Sequence, residues 1–161
     1  MIRLIKEQDL PEILDIYNDA IANTTAVYTD ELSTMEERRS WMRQKEVQQI
    51  PIFVYEEEGR VAGFATYGPF RAWPLYKYTV EHSIYVRASD RQKGIASQLL
   101  ERLIKEAKEK GYHTLIAGID SSNSGSFALH QKYGFVEVGV IKEVAHKFDR
   151  WLDLVFLQKF L

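Results

Sequence analysis

At 161 residues, 45% hydrophobic and 27% charged, the chain is long enough for one well-buried core and too short for two ordinary domains, so a single domain over residues 1–161 is expected. A formal net charge of -2 gives no global field to gather nucleic acid, and the lack of cysteine excludes a disulfide framework and any thiolate metal site. No run approaches the length needed to cross a bilayer, and the opening Met1 to Leu10 lacks the apolar stretch of a signal peptide, so cytoplasmic residence is the expectation.

Ile2 to Ile5 forms a short strand candidate, followed by Asp9-Leu10-Pro11-Glu12, which supplies an N-cap, an early-turn proline and a glutamate three residues on. The helix this opens has Ile13, Ile16, Tyr17 and Ala20 on one stripe. Ser33 with Glu36 repeats the capping-box pattern and predicts a second helix, highly charged and superficial, carrying Met35, Trp41 and Met42. Ile52 to Tyr55 and Arg60 to Tyr67 read as a hairpin closed by Glu56-Glu57-Glu58-Gly59. From Gly68 to Thr79 the chain has two prolines with Arg71, Trp73, Tyr76 and Tyr78, a loop aromatic enough to fold over its own core or to wall a binding site.

Val80 to Val86 alternates, so Val80, His82, Ile84 and Val86 share one face of a strand while Glu81, Ser83 and Tyr85 share the other. Ile95, Leu99, Leu103 and Ala107 mark a long amphipathic helix that Gly111 closes in a left-handed cap. A strand over Thr114 to Ile119, a short helix over Asn123 to Tyr133, and strands over Phe135 to Val144 and Trp151 to Phe160 complete the chain. The order predicts an α/β protein with a mixed sheet covered by helices on both faces. One parallel pair is expected across the long helix, between the strands ending at Val86 and Ile119.

Arg91-Gln92-Lys93-Gly94-Ile95-Ala96 lies between a strand end and a helix start, where unpaired N–H groups and the positive end of the helix dipole can hold a phosphate. Gly94 permits close backbone approach, small Ala96 leaves room, and Arg91 and Lys93 add charge. The pattern lacks the Gly-Lys-Ser/Thr ending of a P-loop and the three glycines of a dinucleotide fingerprint.

Arg91-x-x-Gly94-x-Ala96 resembles the Q/R-x-x-G-x-G/A signature of the GNAT acetyltransferases, and Asn123 to Phe135 is similar to the family's N-x-x-(S/A)-x-x-(L/F)-(Y/H)-x-x-x-G-F segment. The resemblance implies a mixed, mostly antiparallel seven-stranded sheet and acetyl-CoA as cosubstrate. It implies coenzyme contacts from the strand edge Ile84, Tyr85 and Val86, from the loop and helix start Arg91, Gln92, Lys93, Gly94, Ile95, Ala96 and Ser97, and from Asn123 and Ser126. Gly68 to Arg71, Thr79 to Val86 and His146 to Asp153 further resemble the phosphinothricin and methionine-sulfoximine N-acetyltransferase branch. That implies a small amino-acid-like amine as acceptor, a homodimer, and Phe70, Arg71, Tyr78 and His146 as acceptor contacts.

An ammonium has no lone pair, so the acceptor must lose a proton before it attacks a thioester, and Glu81 is the candidate base. The departing thiolate needs a proton donor. Many family members carry tyrosine where this chain has His130, so His130 is the candidate acid, with Tyr133 one turn on in reserve. His82, His113, His130 and His146 show no ligand spacing with carboxylates, and no metal is expected. The rival readings are a noncatalytic acyl-CoA sensor, which has no need of Glu81, and an enzyme acting on peptide or protein amines, which needs an open groove.

Overall fold

The computed structural model describes residues 1–161, and a short N-terminal strand already sets the first helix. In β1 (Ile2–Leu4), the guanidinium of Arg3 donates to both carboxylate oxygens of Asp9, at 2.8 and 2.9 Å, and Asp9 also accepts from the Lys6 amide at 2.7 Å. Asp9 therefore does not cap α1 (Leu10–Asn23) with its side chain, contrary to the sequence expectation. A charged, bidentate partner outcompetes a single neutral amide. Helix α2 (Met35–Val47) begins one residue later than its pattern suggested. Thr34 accepts from the Glu37 amide and Glu37 from the Thr34 amide, both at 3.2 Å, because Ser33 is pinned to Asn18 of α1 through its own N–H and carbonyl.

Strands β2 (Ile52–Glu57) and β3 (Arg60–Pro69) form the expected hairpin, with Glu58 and Gly59 at φ 51° and 78° as its two-residue turn. After β4 (Thr79–Val86) come α3 (Ile95–Glu109), β5 (Thr114–Asp120), α4 (Ser124–Lys132), β6 (Val136–Lys147) and β7 (Arg150–Phe160). The seven strands lie in the order β1-β2-β3-β4-β5-β7-β6, and β4–β5 is the one parallel pair, as the crossover through α3 requires. α3 ends on Gly111 (φ 81°), with Tyr112 N–H on Ala107 O and Gly111 N–H on Lys108 O, a Schellman closure.

Leu99, Leu100 and Leu103 of α3 are fully buried on one face of the sheet with Leu115 and Leu157. Ile13 and Ile16 of α1 cover the other face against Val54, Val61 and Phe64. Each fully buried aliphatic side chain contributes about 1.5–3 kcal/mol. Gly63 lets α3 come close to β3, since a Cβ there would stand 2.9 Å from Tyr85 O and 3.2 Å from Ile95 Cγ2. The loop after β3 leaves Trp73 and Leu75 largely exposed, so it does not fold over the core.

At the far edge the strands run further than the sequence suggested. β6 and β7 pair through Lys147 and Arg150, leaving Phe148 and Asp149, at φ 53° and 56°, as the whole turn. The polar residues there had read as a longer loop. Pairing of His146 with Trp151 and Lys147 with Arg150 overrides that composition.

Candidate active site

The site arises where β4 and β5 part. They pair only from Thr79–Thr114 to Glu81–Ile116, while β4 stays on β3 as far as Val86 and β5 stays on β7 as far as Asp120. A cleft of about 880 Å³ opens between the diverging ends. His82, Ile84 and Val86 line it from one face of β4 and Ser83 and Tyr85 from the other, so the cleft passes through the sheet. Backbone groups of Ile84–Val86 that point away from β3 have no strand partner on this side, which suits an extended, amide-bearing ligand.

The loop before α3 forms the outer end of the cleft. Gln92 and Gly94 have φ 62° and 79°, and Gln98 N–H is the first of the helix to find a carbonyl, at Gly94 O, 3.2 Å. The amides of Gln92–Ser97 thus remain available at the positive end of α3. The two flanking cations are already committed. Lys93 donates to Asp90 at 2.8 Å, and Arg91 to Asp19 and to Val86 O, both at 3.3 Å. Asp90 is fully buried, also accepts from both terminal nitrogens of Arg60 (2.6 and 2.8 Å), and is held well below the usual carboxylate range by those bonds. Arg91, Gln92, Gly94, Ile95, Ala96 and Ser97 line the cleft, whereas Lys93 turns to Asp90.

On the opposite wall Asn123 caps α4, accepting from Ser126 N–H at 3.1 Å. His130, in the last turn of the helix, faces Ser126 O with Nδ1 at 2.7 Å and His82 Nε2 with Nε2 at 2.8 Å. A carbonyl only accepts, so His130 Nδ1 carries a proton and its Nε2 accepts from His82. His82 Nδ1 is then a buried lone pair without a partner. Burial pulls both imidazoles down, His82 to about 3, so the pair is neutral at physiological pH. Both nitrogens of the candidate acid are thus engaged within the protein. Tyr133, the reserve, shares a 2.6 Å hydrogen bond with Ser97.

Glu81 lies on the other face of β4. Its Oε2 is 3.1 Å from where a Cβ on Gly118 would sit, so this glycine makes room for the carboxylate beside the cleft. Burial pushes the Glu81 carboxyl up, with the nearby Arg71 charge pulling the other way, and no hydrogen bond within the chain offsets the burial. Arg71 lies 5.3 Å from the Phe70 ring, which meets Phe156 edge-on at 6.0 Å. Tyr78 is exposed under Lys77, and His146 packs edge-on to Trp151 at 4.9 Å; none of Glu81, Phe70, Arg71, Tyr78 and His146 is among the residues that line the cleft.

Two other ionisable groups in the cleft differ in kind. Burial pushes Tyr85 up to about 12, so its hydroxyl stays protonated. Burial acts to raise Asp120, but hydrogen bonds from Ser122, Thr25 (2.9 Å) and Tyr28 (3.0 Å) outweigh it and keep the group an ionised, poorly basic carboxylate. Sequence reasoning missed Asp120 and the Thr24–Ala26, Phe148 and Arg150 walls of the cleft. The one available signal was the small polar run Asp120-Ser121-Ser122-Asn123 directly after a predicted strand. No cluster of three or more His, Cys, Asp or Glu side chains is arranged to hold a metal ion, and no helix is long and apolar enough to cross a membrane.

Comparison with known proteins identifies the family and the fold. Residues 2–156 match the family described as acetyltransferase (GNAT) domain. The chain is 44% identical over 151 residues to an L-methionine sulfoximine/L-methionine sulfone acetyltransferase of Pseudomonas paraeruginosa, covering 93% of this chain and 88% of the relative. The crystal structure of an N-acetyltransferase from Staphylococcus aureus Mu50 superposes with TM-score 0.99 at 60% identity, over 99% of this chain and 97% of that one. A GNAT superfamily phosphinothricin acetyltransferase from Sinorhizobium meliloti, solved in complex with acetyl-CoA, superposes with TM-score 0.97 at 32% identity, over 100% of this chain and 88% of that one.

Proposed function

This chain belongs to the GNAT acetyltransferases, enzymes that use acetyl-CoA, and on that premise we propose that it acetylates the α-amine of a small amino-acid-like substrate of the methionine sulfoximine, methionine sulfone or phosphinothricin kind. The free amides of Gln92–Ser97 suit a pyrophosphate, and the open edge Ile84–Val86 with Asn123 opposite suits a pantetheine arm. When bound there, acetyl-CoA supplies a thioester carbonyl that an amine can attack directly.

The observation that carries the reading is Glu81: a half-buried carboxylate with raised proton affinity, free of hydrogen bonds within the chain, next to a cleft that crosses the sheet. On this reading Glu81 takes the proton of the acceptor ammonium from one face of β4. The His82–His130 pair lies on the other face; with both His130 nitrogens engaged within the protein, the Tyr133 hydroxyl beside Ser97, or solvent, protonates the departing sulfur on this reading. Arg71 carries the charge that a substrate carboxylate needs, beside the apolar surface of Phe70.

The test is thiol release from acetyl-CoA across methionine sulfoximine, methionine sulfone, phosphinothricin, their decarboxylated amines, polyamines and short peptides. Turnover should favour the α-amino acids over the matched amines. Preference for peptides would move the substrate to proteins, and tight coenzyme binding with no turnover of any amine would make the chain a sensor.

The enzyme works in the cytoplasm as one domain and as a homodimer on this reading. Support for the dimer comes from β6, an edge strand whose Val136, Val138, Ile141 and Val144 are exposed, with Trp151 of β7 61% exposed alongside. An edge of this length and apolarity calls for cover. Light scattering at assay concentration should give twice the 18.8 kDa chain mass, and a fully active monomer would remove the dimer.

A further inference from the structure

Lys147 closes β6 and is 7% exposed, although no carboxylate pairs with it at bonding distance. Its ammonium donates to Ile21 O at 2.6 Å, Thr24 O at 2.7 Å and Val27 O at 2.9 Å, so its three N–H groups meet three carbonyls. Ile21 is in the last turn of α1, where carbonyls lack helical partners and the dipole is negative. One side chain of the β6–β7 hairpin thus holds the end of α1 and the first part of the α1–α2 loop.

Both of the segments it joins wall the cleft. Thr24, Thr25 and Ala26 line it from the loop, and Phe148, the residue after Lys147, lines it from the hairpin. Phe148 and Asp149 hold left-handed backbone, at φ 53° and 56°, which side chains with a Cβ disfavour. Such a conformation lasts only where the surroundings impose it. Farther along, Thr25 and Tyr28 are tied to Asp120, so the loop is fixed from two sides. Because α1 packs on the face of the sheet that carries Tyr85 and Glu81, opposite the face covered by α3, this wall stands on the side from which the amine would approach.

We propose that Lys147 is a positioning residue for the acceptor amine: by clamping the α1–α2 loop to the β6–β7 turn it sets the acceptor-side wall of the cleft. A methionine of similar length would fill the space but leave the carbonyls of Ile21, Thr24 and Val27 without their donor, so the ammonium also serves stability, and only a readout specific to the amine separates positioning from that structural role.

The inference rests on the acetyltransfer reading, so it is tested with whichever amine of the panel the wild-type enzyme turns over fastest; failure of the amino-acid substrates then leaves it standing. Lys147→Met should lower kcat/KM for the amine by about 10- to 100-fold, mainly through KM, as expected when a reacting group is misplaced by about an ångström. Acetyl-CoA affinity by calorimetry should stay within about twofold, because its contacts lie elsewhere in the cleft. Lys147→Arg keeps the cation and should recover part of the loss; if the methionine variant does not fold, the arginine variant must still show the selective rise in amine KM. A folded variant with unchanged amine KM, or with acetyl-CoA affinity and amine KM altered in equal proportion, overturns the proposal.

Discussion

Glu81→Gln should leave acetyl-CoA binding intact and lower turnover at neutral pH by about 100- to 10,000-fold, the usual contribution of a general base. The amide keeps the size of the side chain beside Gly118 and cannot take a proton. Burial raises the carboxyl of the native residue, so wild-type turnover should fall on the acid side through a limb lying above the ordinary carboxylate range. The sign follows directly: below that limb Glu81 is protonated and cannot serve as base, above it the group is ionised and can. The variant should lack this limb and recover rate toward alkaline pH as solution supplies more free amine. Damage to packing alone would instead reduce coenzyme affinity or thermal stability at every pH. Near-wild-type turnover by the folded variant would give the proton to another group; Asp120 is a poor substitute, since its four hydrogen bonds favour the ionised form.

How far the sequence carried the fold depends on how local each decision is. The β4 alternation, the α3 stripe with its Gly111 closure and the parallel crossover were all legible, because each rests on residues within one element and its ends. The misreadings share a cause: a distant partner claimed the group. Asp9 was claimed by Arg3 and Ser33 by Asn18, so neither caps the helix that follows it. Lys93 offered a positive charge for a phosphate, yet Asp90 holds it, and Asp90 is kept in place by Arg60 from β3. The cleft wall at Thr24–Ala26 was illegible for the same reason. No periodicity or motif marks it, and it becomes part of the site only because Lys147, more than a hundred residues away, and Asp120 pull it there.

The commitment of Arg91 and Lys93 to acidic partners makes the backbone of the loop the sharpest place to test the anion cradle. Gly94→Glu should raise the dissociation constant of acetyl-CoA by about 100-fold or more. Two unit charges near 4 Å repel by about 4 kcal/mol at a surface-like effective dielectric of about 20, and about 1.4 kcal/mol corresponds to a tenfold change in affinity. The fold should survive, since a Cβ at this position meets nothing within 4 Å and the cost is that of placing a side-chain residue at φ 79°, about 1–2 kcal/mol. Gly94→Asn separates strain from charge: asparagine tolerates left-handed backbone and is neutral, so it should lose far less affinity than glutamate. A calorimetric titration of both folded variants decides the matter. Equal losses would make backbone strain the cause, and unchanged affinity in Gly94→Glu would move the pyrophosphate away from the start of α3.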